Sequence, residues 1–289
     1  MTPRAVFAAF VVPLFCCLLL ASAAAANEDS PPPKVTLDNT EHRQLTSSIN
    51  GETYQIYVKL PRDYGTSGKR YPVLYVTDAE TNFGGTGYIV QRLMKDHLVP
   101  DMIVVGVAYG SSYDAFYQLR ARDLTPVPVD GWRNSGGAEA FRKFMLTDLF
   151  PFVGEHYRVT DDRAYYGHSF GGLFGFHVLL TAPEMFDRYL LLSPSLWWAD
   201  RTIFESATAA SGTTSAARVY VGTGELESSH MVSDHLAMVN LLDSVEGSRL
   251  TVKSEILPDE THRTVFGTGF TRGLRFLYAD ARPESATRH

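Results

Sequence analysis

The chain predicts an α/β domain, built on a mostly parallel, eight-stranded sheet with helices on both faces. Three observations predict it. Asn50-Gly51 joins two runs of strand-like alternation. Apolar β-type runs then alternate with segments of helical spacing toward the C-terminus, and a glycine-flanked serine stands where one such run passes into a helix. With 289 residues, 45% of them hydrophobic and 20% charged, the chain has the size and composition of one large globular domain.

The first 26 residues, MTPRAVFAAFVVPLFCCLLLASAAAA, place Arg4 before an apolar stretch and end in small residues, the pattern of a secretory signal. The alternative, an uncleaved anchor, needs a longer apolar run. Cleavage near Ala26 would remove Arg4, Cys16 and Cys17, taking the formal charge from −6 to −7 and leaving no thiol for a disulfide. A secreted or periplasmic location is therefore expected, with no stable membrane insertion after cleavage. Residues 27–39, with NEDSPPP, form a polar, proline-stiffened leader; residues 40–282 are the folded domain and 283–289 a disordered tail.

Within the domain, EHRQLTSSINGETYQIYVKLP reads as a hairpin. YPVLYVTDA is a buried strand, and GYIVQRLMKDHLVP follows it with helical spacing. DMIVVGVAYG is the next strand. Residues 111–135 read as a polar and aromatic loop before the helical GAEAFRKFMLTDLFPFVGEHY. The strand RAYYG, the helix FGGLFGFHVLLTA and the strand RYLLLSPS come next, followed by a variable stretch to about residue 216. The strand RVYVGTG, the helix HMVSDHLAMVNLLDSV, the strand RLTVKSEIL and a last helix around GFTRGLRFLYA close the domain. Six strands alternating with helices require right-handed crossovers and a parallel sheet covered on both sides.

A net charge of −6 offers no basic footprint for a phosphate backbone, so nucleic acid is not an expected partner. GTGELE is not a phosphate loop, because no Lys-Ser or Lys-Thr follows its glycines. No H-E-x-x-H or tight His/Asp cluster is present, and no metal or other cofactor is expected.

The chemistry points to RAYYGHSFGGLFG. A sharp strand-to-helix turn lifts a hydroxyl clear of the backbone and crowds the positions two before and two after it; Gly167 and Gly171 lack the Cβ that would clash. The turn also leaves the first helix amides unpaired, so the N–H of Phe170 can donate to an oxyanion. By itself G-x-S-x-G is weak, and a glycine-rich junction made only for close packing is the bland alternative. A nucleophilic Ser169 needs a base and an orienting acid, in the chain order Ser, acid, His. His42, His97 and His156 precede the serine, His168 and His177 flank it, and His289 ends the chain. His230 and His235 open a helix. His262 alone stands in a loop after the last strand, in PDETHRT. The acid comes from VGTGELESSH, where Glu227 is favoured over Glu225 by the expected end of the strand at Gly224. In TDAETNFGG, the amide of Glu80, or that of Ala79, is the candidate second oxyanion donor.

Taken in order, RYPVLYVTDAETNF, IVVGVAYG, RARDLTPVP, GGAEAFRKFMLTDLFPFVGEHYRV, YYGHSFGGLFG, LLLSPSLWW, VGTGELE and THRTVFGTGFTRGLRFLY resemble the "putative esterase" family of α/β-hydrolases. That family includes the trilactone siderophore esterases and is related to S-formylglutathione hydrolase and the mycolyltransferases. The resemblance spans nearly all of residues 40 to 280. It implies the α/β-hydrolase fold and a Ser-His-acid hydrolase, with Ser169 as nucleophile and His262 as base. The expected function is a serine esterase that cleaves a small-molecule carboxylic ester through an acyl-enzyme. An acyltransferase on the same residues and a non-catalytic binding protein are the alternatives. For substrate, Tyr113, Phe116 and Tyr117 near Arg120, Arg122 and Asp123, together with Trp197 and Trp198, suit an aromatic or amphiphilic acyl group. The alternative is that Arg122 and Asp123 pair to pin the loop while the tryptophans cap the core. The resemblance points to catecholate siderophore esters; an acetyl or feruloyl ester of a saccharide, or a small acyl ester, fits the same residues.

Overall fold

Strand β1 (Thr40–Thr46) pairs antiparallel with β2 (Thr53–Lys59) in a computed structural model of the chain, which describes residues 35–209, 216–244 and 249–281. The expected signal segment, most of the leader and the tail lie outside the described residues. The hairpin connection is longer than a two-residue turn: Ser47 N–H donates to Glu52 O at 2.8 Å, and Gly51 takes the left-handed conformation at φ 74°.

The chain continues through β3 (Tyr71–Val76), α1 (Ala79–Lys95), β4 (Ile103–Ala108), α2 (Tyr113–Leu124) and α3 (Ala138–Phe144). A π-helical turn (Met145–Leu149) joins α3 to α4 (Phe150–His156). Then follow β5 (Val159–His168), α5 (Phe170–Thr181), β6 (Arg188–Leu192), the short α6 (Trp198–Arg201) and α7 (Ile203–Ala209). Strand β7 (Ala217–Gly224), α8 (Ser229–Ser244), β8 (Leu250–Leu257) and α9 (Val265–Leu277) complete the domain. The eight strands form one sheet in the order β1-β2-β4-β3-β5-β6-β7-β8, antiparallel through β4 and parallel from there to β8. This is the expected α/β-hydrolase architecture.

Two segments depart from the sequence expectation. Helix α1 starts at Ala79 rather than at Gly87, so TDAETNFGG is mostly helix. Residues 113–124, read as loop, form α2. Its charged residues hide the helical pattern, and its anchors are distant: Arg120 pairs with Asp78, and Asp123 accepts a hydrogen bond from Tyr54 Oη at 2.9 Å.

The continuous apolar runs of the central strands follow from burial on both faces, since successive side chains point to opposite sides. Leu74, Val76, Val104, Tyr166 and Leu190 pack beneath α1 and α9, against Val90, Leu93, Phe270 and Leu274. Val73, Tyr75, Val105, Tyr165 and Leu191 face the other way, toward Phe141, Phe144, Leu173 and Phe174. Strand order reverses between β3 and β5, because β4 lies on one side of β3 and β5 on the other. Their carboxyl ends therefore open onto the crevice where sheets of this kind hold ligands.

Candidate active site

Ser169 sits at that crevice, between the last residue of β5 and the first of α5. Its backbone is strained, at φ 59° and ψ −117°, a conformation that costs a non-glycine residue about 1–3 kcal/mol. Strand β6, the segment that follows it and the first turn of α5 hold it there. Ser169 N–H donates to Leu192 O at 3.0 Å, and its carbonyl accepts from Ser195 N–H at 3.1 Å and Leu173 N–H at 3.0 Å. The flanking glycines are required as the sequence indicates: a Cβ on Gly167 would run into the carbonyl of Gly171, and one on Gly171 would lie 2.6 Å from Thr77 Oγ1. The N–H of Phe170, at the first position of α5, has no helical carbonyl to meet.

Across the cleft, His262 Nδ1 lies 2.6 Å from Glu227 Oε2. The other carboxylate oxygen accepts from Ser193 Oγ and, at 2.8 Å, from the N–H of Gly224. The Glu227 side chain is only 1% exposed. Burial pushes its carboxyl up, but the hydrogen bonds from His262, Ser193 and Gly224 outweigh this and hold it below the usual carboxylate value. An ionised acceptor at Oε2 keeps the proton on Nδ1, which leaves Nε2 of a neutral ring free as a base. Glu225 is directed elsewhere: it is exposed and accepts from Asp259 N–H at 3.3 Å.

Ser169 and His262 line the same cleft of about 520 Å³, with Tyr117, Arg120, Trp132, Phe170, Ser195 and Trp197 among its walls. The Ser169 hydroxyl rests 3.2 Å from Ser195 Oγ and makes no hydrogen bond to His262 in this arrangement. His168, the residue before the serine, places Nε2 at 2.7 Å from the carbonyl oxygen of His262, with the two imidazole centroids 4.6 Å apart.

Other residues singled out from the sequence are distributed differently. Arg120 reaches the cleft, but its guanidinium is spent on a buried fork to Asp78, at 2.9 and 2.7 Å, and it stacks over Phe170. Arg122 is not a cleft residue: it pairs with Asp123 at 2.7 Å and with Glu52 at 2.6 Å, pinning α2 to the hairpin. Trp197 is 38% exposed at the cleft wall, whereas Trp198 is buried in the core and donates its Nε1–H to Val127 O at 2.9 Å. Glu80 and Ala79, whose amides are the expected second oxyanion donors, open α1 and are not among the residues that line the cleft. Because the chain turns through a left-handed Asp78 into α1, the Glu80 carboxylate caps the amides of Tyr109 and Gly110, and burial raises its pKa despite them.

Trp132, Ser193 and Ser195 went unread in the sequence. Trp132 lies in the stretch that reads as loop, and the SPS that follows β6 is the available signal for the two serines. Among the described residues, no three His, Cys, Asp or Glu side chains gather as a metal site, and no helix is long and apolar enough to cross a membrane.

A strained serine at the end of a central parallel strand, in one cleft with an imidazole bonded to a buried carboxylate, is the arrangement that α/β-hydrolase folds present. The chain belongs to the esterase family: the family model described as "Putative esterase" matches residues 47–268. It is 35% identical over 178 residues to the ferri-bacillibactin esterase BesA of Bacillus subtilis, covering 56% of this chain and 61% of that protein. It is also 35% identical over 184 residues to the siderophore triacetylfusarinine C esterase of Aspergillus fumigatus, covering 61% and 62%. The chain thus spans about three fifths of the length of these curated relatives. Among solved structures, the BES protein from Bacillus cereus superposes with a TM-score of 0.79 at 28% identity, covering 87% of this chain and 99% of that one.

Proposed function

We propose that this protein is a serine esterase that hydrolyses siderophore-type carboxylic esters through an acyl-enzyme. Ser169 Oγ turns from Ser195 toward His262 Nε2 and attacks the ester carbonyl. His262 takes the hydroxyl proton and passes it to the leaving alcohol, and Glu227 stabilises the imidazolium formed in between. The Phe170 N–H, at the positive end of α5, meets the oxyanion; one such donor is typically worth about 3–4 kcal/mol of transition-state stabilisation. Water then enters as second acceptor and releases the acid.

The observation that carries this reading is the 2.6 Å contact of His262 with the buried Glu227, in the cleft that also exposes the Ser169 hydroxyl. Tyr117, Trp132 and Trp197 supply aromatic walls that suit a catecholate acyl group, and the names of the relatives support the same substrate class. The N-terminal signal pattern supports action outside the cytoplasm, in a secreted or periplasmic setting.

A fluorophosphonate probe and a panel of nitrophenyl esters run beside a catecholate trilactone test the proposal. The expected result is labelling at Ser169 and turnover that favours the trilactone, both lost in Ser169→Ala. Unlabelled Ser169 in well-folded protein, or turnover surviving in Ser169→Ala, would overturn it.

A further inference from the structure

His168 occupies the variable position of the elbow, immediately before the serine. Its surroundings are specific. Nε2 lies 2.7 Å from the main-chain carbonyl oxygen of His262. A carbonyl oxygen only accepts, so the proton sits on Nε2 and the ring is the donor. The imidazole leans on that of His262 at 4.6 Å between centroids and 46° between planes. The main-chain carbonyl of His168 is held in turn by Arg120 Nη2 at 3.3 Å, and the Arg120 guanidinium is fixed by Asp78.

His262 needs such support. It stands in the loop between β8 and α9, with its side chain 41% exposed, so packing alone does little to orient the ring. Glu227 holds only Nδ1, and an imidazole held at one atom can still tilt if its backbone drifts. Upstream, the loop is tied by Leu226 N–H to Glu260 O at 3.0 Å. At His262 itself the tie is His168.

We infer that His168 is a positioning residue for the reaction: by donating Nε2–H to the His262 carbonyl, it couples the strand that carries the nucleophile to the loop that carries the base. The inference rests on the reading of His262 as that base. The tether keeps the spacing between Ser169 and His262 when substrate enters, and it works with a neutral donor. Burial and the adjacent His262 ring push the His168 pKa down to about 4, so the N–H donor adds no positive charge beside an imidazole that must itself accept a proton.

The test compares His168→Gln, which keeps an N–H donor of similar reach, with His168→Phe, which keeps the ring and loses the donor. Turnover is normalised to the fraction of Ser169 labelled at end point by a fluorophosphonate, so that misfolded protein does not count. Misplacement of a reacting group by about 1 Å can cost on the order of 100-fold, and a loosened loop should cost about 10- to 100-fold. The expected result is a fall of that size in kcat for His168→Phe with KM changed less than about twofold, and recovery to within about threefold of the parent in His168→Gln. Full kcat in His168→Phe, or equal damage in both variants, would overturn the inference while leaving the base assignment intact. Activity that survives in His262→Ala would remove the base assignment and this inference with it.

Discussion

Replacing Glu227 by glutamine tests the proposed chemistry most directly, because it alters hydrogen-bond polarity with almost no change of shape. Glu227 Oε1 accepts from Ser193 Oγ and Gly224 N–H, and an amide oxygen can continue to do so. The amide nitrogen then faces His262 Nδ1, 2.6 Å away in the parent, and two N–H groups cannot share that contact. The imidazole escapes by moving its proton to Nε2, which presents a donor where a base is needed. The wrong tautomer lowers kcat by about 10⁴ in the serine protease template, and a loss of about 10²–10⁴ is expected here. Three charge-assisted bonds also become neutral, which roughly halves their strength, offset in part by relief of a buried charge. The expected stability cost is about 1–3 kcal/mol.

The acid limb of stability should change as well. Glu227 is held below its ordinary value of 4.5, so its contribution is present above that pH and lost as pH falls through the lowered folded value. Glu227→Gln should therefore unfold with a flatter acid limb. Steady-state kinetics on a nitrophenyl ester, with urea unfolding from pH 3 to pH 7, measure both effects. Glu225→Gln is the control: it takes the charge from one exposed contact to Asp259 N–H and should change kcat less than about twofold and stability by about 0.5 kcal/mol or less. A folded Glu227→Gln protein within threefold of the parent kcat, or equal damage from Glu225→Gln, would refute the assignment of the acid.

The two adjacent tryptophans should separate cleanly. Trp197→Ala is expected to raise KM for an aromatic ester with little loss of stability, whereas Trp198→Ala should cost about 3–5 kcal/mol in chemical unfolding. Gly167→Ala places a methyl group against the carbonyl of Gly171, and since neither backbone can yield, a loss of about 3 kcal/mol or more together with loss of fluorophosphonate labelling is expected. His235 is fully buried, with Nδ1 at 2.7 Å from Thr223 Oγ1 and Nε2 at 2.6 Å from Ser254 Oγ; burial pushes its pKa from 6.5 down to about 4. Between those values the unfolded chain binds the extra proton, so stability should fall by up to about 3 kcal/mol from this group as pH drops through the window, and His235→Gln should show a shallower slope in urea titrations.

The alternation of strands and helices and the tight turn at Ser169 were legible in the sequence alone because each is encoded locally. A period of two or of three to four assigns faces, and paired glycines around a serine mark a turn that no Cβ could enter. Where an element takes its stability from distant partners, local pattern failed. Helix α2 has the local pattern of a loop, since its anchors are Asp78 and Tyr54, brought to it by the sheet. Glu227 and Glu225 differ by two residues in a loop, and only the path of the chain after Gly224 turns one under the imidazole and the other to solvent. The same holds for Trp197 against Trp198, for Arg120 buried on Asp78, and for His168 meeting a carbonyl 94 residues away. Periodicity is a property of neighbours along the chain. Which side chains share a proton depends on strand order and twist, and those exist only once the sheet has formed.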